Sequence, residues 1–180
     1  MTPSPIRPAF SRTAFPARRA KLLAASALVG SLMGGAAALL AQPALAGTLP
    51  GVPSAANISV SSGGTQPVIT APGATELDVD LNASRTVINW ASLHASSGDS
   101  ITFHFDASSD IVLNKTTSQI QIDSGATISG LVGAATGGNI WFYSPQGVIV
   151  SPGATMSAGG FVFSKGSGLV DASFVNSAAP

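Results

Sequence analysis

Beyond residue 47 the apolar runs of the chain are short, and Gly, Ser, Asn, Asp or Pro closes each one. They return roughly every 8–12 residues, too often for helices and at the interval of strands joined by tight turns. Leu77-Asp78-Val79-Asp80-Leu81 and Ile101-Thr102-Phe103-His104-Phe105 alternate strictly, as a strand with one buried face must. Arg85–Trp90, Ile111–Leu113, Ile120–Ile122, Ile140–Tyr143, Val148–Val150 and Phe161–Phe163 are further strand candidates, rich in β-branched and aromatic residues. No amphipathic helix is expected after residue 50. The fold class is therefore all-β.

Regular short strands fit a sandwich, a barrel or a solenoid. An internal echo bears on the choice. Ser124-Gly125-Ala126-Thr127-Ile128-Ser129 resembles Pro152-Gly153-Ala154-Thr155-Met156-Ser157, 28 residues later, and Pro72-Gly73-Ala74-Thr75 reads as a weaker third copy. A period of that size fits one coil of a β-helix, where a coil buries its apolar face only by stacking on its neighbour.

The first part of the chain has another character. Arg7, Arg12, Arg18, Arg19 and Lys21 precede an uncharged stretch from Leu22 to Ala41, and Ala44-Leu45-Ala46 follows. A basic region, an apolar region and a small-x-small site in that order read as a secretory signal cleaved between Ala46 and Gly47. The apolar stretch is long enough for a membrane span, but Gly30, Gly34 and Gly35 interrupt it and no basic stop-transfer cluster follows. No stable span is expected after signal removal. The remaining 134 residues suffice for one domain, contain no cysteine, and carry Arg85, Lys115 and Lys165 against eight acids, a net charge of −5. Phosphate neutralisation needs the opposite sign, so nucleic acid is not an expected partner.

The order of motifs resembles a known family. Thr86-Val87-Ile88-Asn89-Trp90-Ala91-Ser92-Leu93 followed by Gly98-Asp99-Ser100-Ile101-Thr102-Phe103 is similar to the core of the filamentous haemagglutinin N-terminal domain, also called the haemagglutination activity or two-partner secretion domain. Ile111-Val112-Leu113-Asn114-Lys115 resembles its VLN strand. Gly138-Asn139-Ile140-Trp141-Phe142-Tyr143-Ser144-Pro145-Gln146-Gly147-Val148 resembles its G-x-V-W-L-I-N-P-N-G signature. The likeness covers about residues 60–175. It implies a right-handed parallel β-helix (a β-solenoid) with extra-helical antiparallel strands and an N-terminal cap. The organisation would be residues 1–46 signal peptide, 47–75 extended or capping segment and 76–180 β-helix.

The family's Asn-Pro-Asn-Gly turn is Ser144-Pro145-Gln146-Gly147 here. Pro145 and Gly147 keep the turn chemistry, whereas its side-chain bonds to the loop are expected to differ from the family's. No clear counterpart of the family's earlier Asn-Pro motif precedes Thr86. The resemblance implies export through the periplasm to the medium or cell surface of a Gram-negative bacterium. The partner would be an outer-membrane β-barrel transporter with POTRA modules, and a host-cell or matrix surface would be the target of an adhesin-type role. The family's domain usually heads a long passenger, and this chain contains none with which to choose among adhesin, haemolysin and contact-dependent toxin. Asn89, Trp90, Asn114, Ser144, Pro145, Gln146 and Gly147 are the candidate recognition and structural positions.

Residues able to carry chemistry are few. His94 and His104 are the two histidines, and His104 should face away from Phe103 and Phe105 toward solvent. Asp78 and Asp80 share a strand face and could form an acid/base pair or a Ca²⁺ site, although a solvated face that blunts a sheet edge is the simpler reading. Asp106, Asp110 and Asp123 are scattered. Trp90, Trp141 and Tyr143 read as packing anchors, with Phe142 on the opposite face from the last two. Asn114 is expected in a coil turn, where asparagine tolerates left-handed backbone. Asn57, Asn82 and Asn114 head Asn-x-Ser/Thr triplets, which carry no glycan meaning in a bacterium. No EF-hand, zinc spacing, phosphate loop or nucleophile elbow occurs. No enzyme activity, catalytic residue, metal or cofactor is expected. The runner-up function is a stand-alone extracellular carbohydrate-binding or carbohydrate-active β-protein.

Overall fold

A computed structural model describes residues 49–177, and Ala46 and Gly47 lie outside the described residues. Strands β1 (Ile58–Val60) and β2 (Thr65–Gly73) precede the coils. The first coil consists of β3 (Glu76–Asn82), β4 (Arg85–Asn89) and β5 (His94–Ala95). The second consists of β6 (Ser100–Phe105), β7 (Ile111–Lys115) and β8 (Ile120–Ile122). The third runs through β9 (Thr127–Val132), a small hairpin strand β10 (Ala135–Thr136), β11 (Asn139–Tyr143) and β12 (Val148–Val150). Finally, β13 (Thr155–Ser157) and β14 (Gly160–Ser164) begin a further turn.

Equivalent strands of successive coils pair in parallel. Sheet A holds β4-β7-β11-β14, sheet B holds β3-β6-β9-β13, and sheet C holds β5-β8-β12. This is the expected β-solenoid, about three coils long. The expected antiparallel strands are also present: β1 pairs with β4, β2 with β3, and β10 with β9. Consequently β1 and β2 cover the edge that the first coil would otherwise leave open.

The 28-residue echo is the coil repeat itself. Thr127, Ile128 and Ser129 of β9 pair with Thr155, Met156 and Ser157 of β13. The matching Gly residues mark the corner between sheets C and B. There Asp99, Ala126 and Ala154 donate their N–H to the carbonyls of Ser96, Asp123 and Ser151 at 2.9, 3.1 and 3.1 Å. Gly98, Gly125 and Gly153 hold φ of +88°, +81° and +88°, the third position of a type II turn that needs glycine. The turns also bond to one another, Gly98 N to Gly125 O and Gly125 N to Gly153 O. The expected third copy is corrected: Gly73 ends β2 in a hairpin opposite Glu76 and has no positive φ.

Alternation along each strand fills the lumen. Leu77, Ile101, Ile128 and Met156 form one column across sheet B, and Thr86, Val112, Ile140 and Phe161 form another across sheet A. Ile120, Ile128 and Ile140 are essentially inaccessible, and the partly buried Val148 packs against the core they belong to. His104 lies on the outer face between buried Phe103 and Phe105, as its position in the alternation required.

Helix is almost absent, as expected. A single 3₁₀ turn occupies Ala55–Asn57, and a short helix α1 (Asp171–Val175) follows the last strand. The helix buries Phe174 and Val175 against Val87, Ile111 and Leu113 on the outside of sheet A, a tertiary contact that five residues cannot advertise by periodicity. One expectation fails: Asn114 is not in a turn. It lies within β7, faces the lumen, is fully buried, and no residue other than glycine has a positive φ among the described residues.

Among the described residues one buried side-chain polar atom lacks a hydrogen-bond partner, Thr86 Oγ1. Its column neighbours are Val112 and Ile140. Thr86→Val keeps the shape and removes the stranded hydroxyl, so it should leave stability unchanged or raise it by about 1 kcal/mol. Chemical denaturation of both proteins checks this, and a clear loss of stability would show that the hydroxyl is satisfied.

Candidate functional site

Parallel register brings the signature residues to one corner. Asn89, Lys115 and Tyr143 are equivalent positions at the ends of β4, β7 and β11. The chain then turns toward sheet C, carrying Trp90, Thr116 and Ser144 at the next level. The ladder continues through the bend, because Trp90 N donates to Lys115 O, Thr116 N to Tyr143 O and Ser144 N to Ser164 O.

Inside the corner, Trp90 is 3 % exposed and donates its indole N–H to Asn114 Oδ1 at 2.9 Å. The Asn114 amide in turn donates to Trp141 O at 3.3 Å. A polar side chain in an apolar lumen is tolerable only when paired, and here the pair ties three coils together.

The Ser144–Gly147 turn closes with Gly147 N donating to Ser144 O at 3.1 Å. Gln146 has no positive φ and Gly147 has φ +90°, which makes it a type I turn with Pro145 at the second position. The buried Ser144 hydroxyl accepts from Gln146 N at 3.0 Å and donates to Ser118 O at 2.6 Å. One coil earlier, Thr116 Oγ1 accepts from Ser118 N at 3.1 Å and donates to Ala91 O at 3.5 Å. A column of hydroxyls therefore holds this corner. Pro145 and Gln146 themselves are exposed.

Residues after β14 close over the outside of this corner. Lys115 Nζ donates to Leu169 O at 2.9 Å, forms an ion pair with Asp171, and lies 5.9 Å from the centre of the Tyr143 ring. Asn89 Nδ2 donates to Asp171 Oδ2 at 2.7 Å and to Asn57 O at 3.2 Å. A cavity of about 310 Å³ lies between this strap and the corner, lined by Trp90, Thr116, Tyr143, Pro145 and Leu169 among others. Sequence reasoning missed the roles of Lys115 and Asp171. The available signal was the isolated apolar pair Phe174-Val175 three residues beyond an aspartate.

The remaining candidates do not converge. His94 and Asp123 meet at 2.8 Å on the outer side of sheet C, where Gln121 also donates to Asp123 at 2.7 Å. The Gln121 bond first, and His94 second, hold the Asp123 carboxyl below the usual range. His104 lies 3.8 Å from Asp78 on sheet B. Asp99 and Asp110 accept from the backbone N–H of Ser96 and Ala107 at 2.8 Å each, closing turns. Among the described residues no group of three or more His, Cys, Asp or Glu is placed to hold a metal ion, and no helix is long and apolar enough to cross a membrane.

Two measurements probe these contacts. Trp90→Phe keeps much of the ring but leaves buried Asn114 Oδ1 unpaired, so it should cost about 1–3 kcal/mol, while Trp90→Ala should cost about 3–5 kcal/mol. An unchanged denaturant midpoint in Trp90→Phe would mean the hydrogen bond contributes nothing. Asp123 has a lowered folded pKa, so its contribution is complete above the ordinary carboxylate range and fades as pH falls through the folded value. The stability gap between wild type and Asp123→Asn should therefore narrow on acidification from about pH 6 to pH 3; a constant gap would assign the Asp123 carboxylate no titrating role.

No family model matches the chain, and no curated protein proves similar to it.

Proposed function

We propose that the chain is the export-recognition module of a two-partner-secretion, adhesin-type exoprotein, addressed to a POTRA-containing β-barrel transporter in the outer membrane. The observation that supports this best is the gathering of Asn89, Trp90, Asn114 and the Ser144–Gly147 turn at one corner of a β-solenoid. Residues far apart in sequence become one ridge, with Pro145 and Gln146 exposed upon it. The leader sequence and the scarcity of catalytic residue types agree with the same reading. Folding would proceed coil by coil, each new coil using the previous one as its template, which suits a chain that emerges progressively from a pore without ATP at hand. A carbohydrate-binding role has less support, because Trp90 is buried and Trp141 is packed against Phe174.

The test uses cells that carry the chain with its partner transporter. Gln146→Ala alters the exposed ridge alone, whereas Gly147→Val strains the turn at φ +90°. Both should slow appearance in the medium several-fold, with periplasmic material still beginning at Gly47 after signal cleavage. Trp90→Ala, which weakens the corner from inside, should do the same. Secretion of all three variants at the wild-type rate would remove the address from this corner, and secretion without any POTRA transporter would reject the reading altogether.

A further inference from the structure

A solenoid face that meets water should be polar on its outer side. Sheet A is not. Val87, Ile111, Leu113, Trp141 and Tyr143 make an outward apolar stripe that crosses the coils. The strap covers it with Phe174, whose ring stands edge-on to Trp141 with centroids 5.5 Å apart and 5.4 Å from the Arg85 guanidinium. Asp171 sits between Lys115 and Asn89 at one end of the stripe.

Three observations describe this cover as replaceable. It is a five-residue helix without a side-chain N-cap bond, too short to persist by itself. It is reached through Gly166-Ser167-Gly168, with φ +95° at Gly168. It also leaves open clefts of about 310 and 290 Å³ beside it, one by Tyr143 and Leu169, the other by Arg85, Val175 and Asn176.

Charge adds the chemistry of the occupant. Beyond residue 47 the chain holds eight acids and three bases, and two of the three, Arg85 and Lys115, lie on this face. Once Asp171 leaves Lys115, an acidic segment repelled by most of the surface would be attracted here. The chain's own strap meets those terms, with a carboxylate for Lys115 and Asn89 and, three residues on, a ring for Trp141 and Arg85.

We propose that the outer face of sheet A is a docking groove for a partner-protein segment bearing a carboxylate three residues before an aromatic ring, and that the strap occupies it in cis as a competitor. Displacement of the strap opens the groove, and the incoming segment repeats its contacts while filling the flanking clefts. Nothing in this depends on the export reading.

The probe is a fluorescein-labelled synthetic peptide with the sequence of Leu169–Ser177, titrated by anisotropy against the full chain. The double variant Asp171→Asn, Phe174→Ala, which frees the groove, should bind it at least tenfold more tightly than wild type. Adding Lys115→Ala, or replacing the aspartate or the phenylalanine of the peptide by alanine, should each weaken that binding at least fivefold. A foldedness-independent measurement accompanies it: in the wild-type chain, saturating peptide should speed amide hydrogen exchange at Ala172–Val175 while β7 and β11 stay protected. Equal affinity for wild type and double variant, equal affinity for the alanine peptides, unchanged exchange at Ala172–Val175, or no binding at millimolar peptide would each overturn the proposal.

Discussion

Hydrogen bonding between coils that continues around the corners is the constraint on which this molecule rests. In most β-proteins the ladder ends where a strand ends. Here the turn glycines bond to one another, Gly98 to Gly125 to Gly153, and the hydroxyl column of Thr116 and Ser144 does the same at the opposite bend. Each coil is thereby fixed against its neighbour along much of its circuit. That continuity holds together a chain without cysteine, in which no disulfide can form. It also dictates composition: small, turn-competent residues must recur at one phase of the repeat, which accounts for the Gly, Ser and Asp at the corners.

The lumen adds a second requirement. Columns of Ile, Leu, Val and Phe supply most of the burial, yet Asn114 sits among them and is acceptable because Trp90 and the Trp141 carbonyl use its amide. Breaking one partner strands the other in a place water does not reach. A pair of this kind specifies register: sliding β4 by one residue against β7 would part the indole N–H from Asn114 Oδ1.

How far the sequence discloses this differs by element. Strict alternation makes β3 and β6 legible, since period two over five residues suits a half-buried strand and no helix. The repeat length is legible because the type II turns demand glycine at one position, and Gly125 and Gly153 mark it. Pro72-Gly73 misleads because the same residue types also suit the end of a hairpin. Asn114 misleads for a related reason: asparagine is commonest in turns, and only the distant indole accounts for it in a strand. Asp110 and Asp123 look scattered because the partner of one lies within its own turn and that of the other on an adjacent coil. The strap is least visible. Its helix is defined by what it covers, and the apolar stripe on sheet A exists only once three coils are stacked in register.

The hairpin of β9 and β10 bears on how such a scaffold changes over time. From β9 to β11 the chain advances 12 residues, counted from Thr127 to Asn139, whereas from β13 to β14 it advances five, from Thr155 to Gly160. Nevertheless both strand pairs keep unbroken register on either side. The corner between sheets B and A thus absorbs length without transmitting it to the core. Here the surface can be rewritten by insertion while the scaffold beneath is inherited intact, so that novelty and stability are drawn from different parts of the same coil.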